Sequence, residues 1–278
     1  MKKILTLLIL IPSLCFGQNL KFETKIYDAV DKWVAFNKNS STYMVGFIYI
    51  DSDAGFTFDH EADFEITDSG LKKLPKPFNG VSKFRLGENT ALVAVLTDEQ
   101  INQLELPQQP DWLKHYKTDE NKTSYLVKMG RHYNHVGASK KAIEILLKVY
   151  NKKPHFEGLE FELSYAYNAT ENYEKAIEVL TKAIKNDPNN FWFYRELGFT
   201  YINLDNIDEA EKIYKKGISL SDNKAQKTEM SINMVQYYFY NKNRPKFEEW
   251  VKITKQNIEK GSQFEQHLEY FETNWVEE

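Results

Sequence analysis

Between residues 56 and 66 the chain alternates strictly. Phe56, Phe58, His60, Ala62, Phe64 and Ile66 fall on one side, and Asp59, Glu61, Asp63 and Glu65 on the other. A period of two predicts a β-strand with one face on a core. A run rich in Tyr, Val, Phe and Ile over 42–50 predicts another strand, ended by the turn cluster Asp51-Ser52-Asp53-Ala54-Gly55. Two more strands are predicted over 83–86 and 91–96, joined by Gly87-Glu88-Asn89-Thr90. Thr97 with Gln100 three residues on predicts a capping box at the start of a short helix. Upstream, Ile26, Val30, Trp33 and Val34 recur at helical spacing, which predicts an amphipathic helix over 22–37. Leu106-Pro107 and Gln109-Pro110 then break the pattern. Residues 18–115 therefore read as a small α+β domain, an antiparallel sheet with one face packed on helices.

From about residue 123 to 222 the pattern changes to helical, and it repeats at a fixed step. Met129, Leu163 and Leu197 are 34 apart, as are Gly130, Ser164 and Gly198, then Tyr133, Tyr167 and Tyr201, then Ala142, Ala176 and Ala210. The same step links Leu146, Leu180 and Tyr214, and it joins Pro154 to Pro188. Such a period predicts pairs of helices that stack on their neighbours to bury an apolar face. In the first copy the helices are expected over 125–136 and 139–150, with Gly137 breaking between them. The small residues Gly130, Ser164, Gly198 and the three alanines mark close helix crossings, and the tyrosines fill the space between neighbours. Pro154 and Pro188 stop the second helices. Asn206 with Glu209 predicts a cap for the third second helix.

A fourth copy is degenerate: the match to Tyr201 is Tyr238 rather than Val235, a shift of three. Asn243-Arg244-Pro245 then opens its second helix, with Trp250 and Val251 on the apolar face. The repeats are assigned to 116–261. Phe264, His267, Leu268, Phe271 and Trp275 predict a helix within 262–278 that caps the stack.

Met129-Gly130-x-x-Tyr133 and Leu197-Gly198-x-x-Tyr201, in one register with the other landmarks, resemble the tetratricopeptide (TPR) family. The resemblance implies an all-α helical-repeat solenoid after the α+β domain, and a scaffold that binds a protein or peptide. In that family the first helices of successive repeats line a groove. Carried onto this chain, the groove would present Ser124, Val127, Arg131, Asn134 and His135, then Phe161, Tyr165 and Asn168, then Trp192, Arg195, Phe199, Ile202 and Asn203. Aromatics with arginine are the side chains that dominate interface energetics. The other reading of Phe161, Tyr165 and Phe199 is plain packing between repeats. Some TPR proteins clamp a partner's C-terminal carboxylate with lysine and asparagine; Val127 and Arg131 stand at the corresponding positions here.

Composition narrows the function further. Hydrophobic residues make up 42% and charged residues 27%, so a folded chain is expected, and 278 residues allow more than one domain. Lys2 and Lys3 precede an apolar run over 4–14 and then Cys15-Phe16-Gly17. This reads as a signal peptide over 1–17, cleaved after Gly17, for export to the periplasm or outside the cell. Lipid attachment at Cys15 is disfavoured by Leu14 before it. The mature chain would then have no cysteine, which excludes disulfides and thiol chemistry. It would carry 34 basic against 40 acidic residues, a formal charge of −6, which argues against nucleic acid as a partner.

Candidate chemistry is sparse. Carboxylates at alternate strand positions, as in Asp59, Glu61 and Asp63, lie roughly 6.6 Å apart, too far for neighbours to chelate an ion unaided. Lys83 and Arg85 alternate on a later strand and fit opposite that stripe as cross-strand pairs. His60 would then be a packed histidine on the other face. His132 and His135 sit three apart on one helix but lack a third metal ligand. No phosphate loop, Gly-x-Ser-x-Gly or His-Glu-x-x-His is present. The expectation is a non-catalytic adaptor without cofactor or metal. The alternatives are self-association through the repeats, and a cation-binding or hydrolytic site around Asp59, His60 and Asp63.

Overall fold

The computed structural model describes residues 19–75, 80 and 82–276. The expected signal peptide, Cys15 included, lies outside the described residues. The chain forms two compact units. Of the described residues, one comprises those within 19–49 and 56–114, and the other those within 50–55 and 115–276.

In the first unit the strands are β1 (Lys32–Asn37), β2 (Thr42–Asp51), β3 (Gly55–Thr67), β4 (Gly70–Lys73), β5 (Ser82–Arg85) and β6 (Ala94–Val95). The sheet order is β4-β3-β2-β1-β6, with β5 also pairing β3. Besides β2, long β3 serves two partners: its first part, at Thr57 to His60, runs antiparallel to β5, and its last part, at Phe64 to Thr67, to β4. The core of this unit includes Val34, Phe47, Tyr49, Phe58 and Phe64. The short helix α1 (Asp98–Gln103) opens with the capping box read from Thr97 and Gln100.

Two expectations for this unit are corrected. No helix covers 22–37; a single 3-10 turn at Ile26–Asp28 leads into β1. Asp31 takes a left-handed φ of 59°, which ends helical winding just before Trp33, and the Trp33-Val34-Ala35-Phe36 run pairs with β2 instead. His60 does not stand apart from the acidic stripe either, as a packed histidine on the other face would. Asp63 is buried, and its carboxylate lies 2.5 Å from Lys38 Nζ and 3.0 Å from His60 Nε2. Residues three apart on an ideal strand face opposite ways, so β3 departs from strict alternation between its two pairing partners. Lys83 does stand directly opposite Asp59 in the register, and Arg85 opposite Thr57.

The second unit is a run of helices: α2 (Thr123–His135), α3 (Ser139–Tyr150), α4 (Leu159–Ala169), α5 (Tyr173–Asn186), α6 (Phe191–Asn203), α7 (Ile207–Leu220), α8 (Lys224–Tyr240), α9 (Arg244–Lys255) and α10 (Gln263–Thr273). From α2 to α9 each helix packs on the next, α10 packs on α8, and α2, α4, α6 and α8 also touch in a row. The glycines sit where the helices of a pair cross. A Cβ on Gly130 would lie 2.4 Å from Leu146, and one on Gly198 would lie 2.3 Å from the Tyr214 ring.

The turn inside each pair is built the same way four times. The backbone carbonyls of Tyr133, Tyr167, Tyr201 and Tyr238 each accept from the amide five residues on. The residue before that amide is left-handed in every case: Gly137, Glu171, Asp205 and Lys242, with φ between 53° and 73°. The last pair is thus displaced by three residues from the step of 34. Asn243 caps α9 from its side chain, with Pro245 in the first turn. Asn206 makes no such bond at the start of α7, contrary to the expected cap. Leu268 and Phe271 of α10 are buried against α8 and α9, whereas His267 is exposed.

Candidate groove on the first helices

The row of first helices carries a ladder of polar bonds inside the stack. Asn134 on α2 donates through Nδ2 to both the backbone carbonyl and the carboxylate of Glu162 on α4, each at 2.9 Å. One repeat later, Asn168 on α4 donates in the same way to Glu196 on α6, at 3.3 and 3.2 Å. All four side chains are buried. Burial holds the carboxyl groups of Glu162 and Glu196 above their ordinary range, against the opposing pull of Asn134 on the first and of Arg195 on the second.

Outside this ladder, Arg131, Tyr165, Phe199 and Asn233 follow one another at the step of 34 on α2, α4, α6 and α8. Arg131 is exposed, and Tyr165 and Phe199 are 37% and 41% exposed, high for rings on a folded protein. Beside them Arg195 is clamped. Its Nε and Nη2 lie 3.1 and 3.0 Å from Glu196 Oε1, and its Nη1 donates to Gln226 at 2.9 Å. The guanidinium also stacks over Trp192 and Phe161, 5.0 and 5.5 Å from the ring centres. Phe161 and Trp192 meet edge to face at 5.3 Å.

Two cavities share Tyr165 and Arg195. One, of about 440 Å³, is lined by Arg131, Asn134, His135 and Phe161 among others. The second, of about 290 Å³, adds Asn168, Glu196, Phe199, Glu229 and Asn233. Within this unit Lys128 Nζ also reaches Asp53 at 2.6 Å, and His132 Nε2 lies 3.0 Å from the Ser52 carbonyl. Burial pushes the His132 imidazole below its ordinary value.

The expected groove residues therefore divide. Arg131, His135, Phe161, Tyr165, Asn168, Arg195 and Phe199 line one cavity or both. Asn134 and Asn168 do so from buried positions. Trp192 supports Arg195 from beneath. Asn203 is exposed and bonds the Phe199 carbonyl of its own helix. Val127 is a correction: at 8% exposure it belongs to the core with Leu146 and Leu163. Gln226, Glu229 and Asn233 join the site beyond the expected set; the signal that finds them is the unshifted step of 34 from Trp192, Arg195 and Phe199. Among the described residues no cluster of three or more His, Cys, Asp or Glu could hold a metal. No helix among them is long and apolar enough to cross a membrane.

Two family models match this part of the chain, one described as TPR repeat over 165–205 and one as Tetratricopeptide repeat over 194–224. Among solved structures, a thermophilic TPR protein of Thermus thermophilus is similar at 17% identity, over 58% of this chain and 87% of its own, with a TM-score of 0.50. A crystal structure of MamA aligns at 23% identity over 58% and 87%, with a TM-score of 0.42. No curated protein sequence matches the chain. Residues 165–224 match tetratricopeptide-repeat models, and the helices of the second unit share the fold of a tetratricopeptide-repeat protein.

Proposed function

We propose that this protein is an exported, non-catalytic scaffold that seats a segment of a partner protein along α2, α4, α6 and α8. The observation that carries this reading is the pair of exposed rings, Tyr165 and Phe199, flanking two cavities on one row of helices. Rings left exposed beside an anchored arginine are what a partner side chain would cover. Export rests on the basic and apolar start of the sequence.

The test is affinity capture from the native envelope fraction with wild type and a Tyr165→Ala/Phe199→Ala variant. These side chains are chosen over Arg195, whose removal would strip buried Glu196 of its charge partner, and over Trp192, on which that guanidinium stacks. Loss of specific partners, with circular dichroism unchanged, is the expected result. Persistence of the same partners would refute the groove. The mass of the mature protein checks export, which predicts a chain beginning at Gln18.

A further inference from the structure

The 290 Å³ cavity between α4, α6 and α8 has a definite chemical character. Its floor includes Tyr214, fully buried, whose hydroxyl accepts from Asn233 Nδ2 at 3.1 Å. Its walls include the exposed rings of Tyr165 and Phe199. Arg195 is the cation lining it, and its donors are already engaged by Glu196, Gln226 and, at 3.5 Å, Glu229. Arg195 is only 16% exposed, so it offers little to a ligand. Glu229 is different. Its side chain is 32% exposed, and its contact with Arg195 is long, which leaves a carboxylate with open acceptor sites at the mouth of an aromatic pocket.

We propose that this cavity takes a lysine or arginine side chain from the bound partner, with Glu229 accepting its hydrogen bonds and Tyr165 and Phe199 lying against its charge. The proposal rests on the groove reading above and adds the chemistry of one contact. Aromatic faces attract a cation, and a carboxylate beside them fixes its position. An acidic side chain would meet Glu229 head on. An apolar one would cover that carboxylate and leave it only its long contact with Arg195, which is costly.

The probe is a set of fluorescein-labelled peptides of one neutral serine–leucine background, with Lys, Arg, Gln or Glu at the central position. Binding is read by fluorescence anisotropy. Wild type is expected to bind the Lys and Arg peptides about tenfold more tightly than the Gln peptide, and the Glu peptide least, in line with the cost of unpairing a charge at an interface. Glu229→Gln should bring the Lys and Arg peptides to the affinity of the Gln peptide, with circular dichroism showing the helices intact. If Lys, Gln and Glu peptides bind wild type alike, or Glu229→Gln keeps the ranking, this inference is wrong and the groove reading stands. Binding of none of the peptides also overturns it, and the groove reading is then decided by the capture experiment alone.

Discussion

Asn168 Oδ1 accepts a hydrogen bond from Thr200 Oγ1 at 2.8 Å, inside the stack. One repeat earlier, Asn134 occupies the same place, but Ala166 stands where Thr200 does, and Asn134 Oδ1 has no protein partner. Two copies of one ladder thus differ by a single hydroxyl. Thr200→Val, which keeps the volume and removes the hydroxyl, should cost about 1–3 kcal/mol by leaving Asn168 Oδ1 unsatisfied. Ala166→Ser should supply the missing donor and raise the melting temperature. Thermal unfolding of the two variants checks both signs, and a stabilised Thr200→Val would contradict the ladder.

Glu162 makes stability depend on pH. Burial raises its folded-state pKa above the ordinary 4.5, so the folded protein holds this proton more tightly than the unfolded chain. Its contribution to stability therefore falls as pH rises from about 4.5 through the raised value, and the whole loss is present above it. Gln at this position can still accept from Asn134. Glu162→Gln should melt a few degrees higher than wild type at neutral pH, with the gap closing below about pH 4.5. Calorimetry across that range provides the check; a gap that does not change with pH would mean that Glu162 is not ionised at a cost.

The repeats are legible in the sequence because their landmarks obey geometric needs that few residues meet. Gly130 and Gly198 face Leu146 and Tyr214 so closely that the step of 34 can be read from small and aromatic residues alone. The expected helix over 22–37 fails because only Trp33 and Val34, of the four apolar residues at helical spacing, lie in β1 beyond Asp31, while Ile26 sits in the 3-10 turn before it. Position in the repeat finds groove residues, but it does not reveal their burial: Val127 and Phe161 are 34 apart, yet one is core and the other lines a cavity. Glu229 and Asn233 escape for a specific reason. A shift of three applied to the whole fourth copy hides them, whereas α8, at 17 residues against 13 in α6, takes up the extra residues at its far end.

Gly198 should tolerate no side chain. An alanine there gains about 1 kcal/mol of helix propensity, but its Cβ would sit 2.3 Å from the Tyr214 ring, which is itself fully buried and cannot swing away. Overpacking of this kind costs about 1–3 kcal/mol, so Gly198→Ala should be a net destabilisation. Gly87 is the control. A Cβ there meets nothing within 4 Å, and Gly87→Ala should stay within about 0.5 kcal/mol of wild type. Equal melting temperatures for the two variants would mean that α6 and α7 are not in the close contact described.

The turn inside each helix pair places a left-handed residue at the same point, but only the first copy uses glycine there. Gly137 has a φ of 73°, and Glu171, Asp205 and Lys242 take 58°, 57° and 53°. A side chain in this conformation costs about 1–2 kcal/mol, partly offset because glycine loses more backbone freedom on folding. None of the three is buried, but Lys242 holds its ammonium 5.6 and 5.9 Å from the ring centres of Phe239 and Trp275. Glu171→Gly should stabilise the protein by about 0.5–1 kcal/mol, and Lys242→Gly by less, since it gives up the contacts with Phe239 and Trp275. Gly137→Ala should lower stability by a similar amount, since it imposes the strain that the other copies already carry. Asp205→Gly should gain least, because the Asp205 carboxylate accepts a hydrogen bond from the Tyr237 hydroxyl at 2.5 Å, and the substitution removes that link between the third and fourth repeats. Urea unfolding of the four variants would test the ranking. If Asp205→Gly were the most stabilising of them, the Tyr237 bond would not be holding the two repeats together.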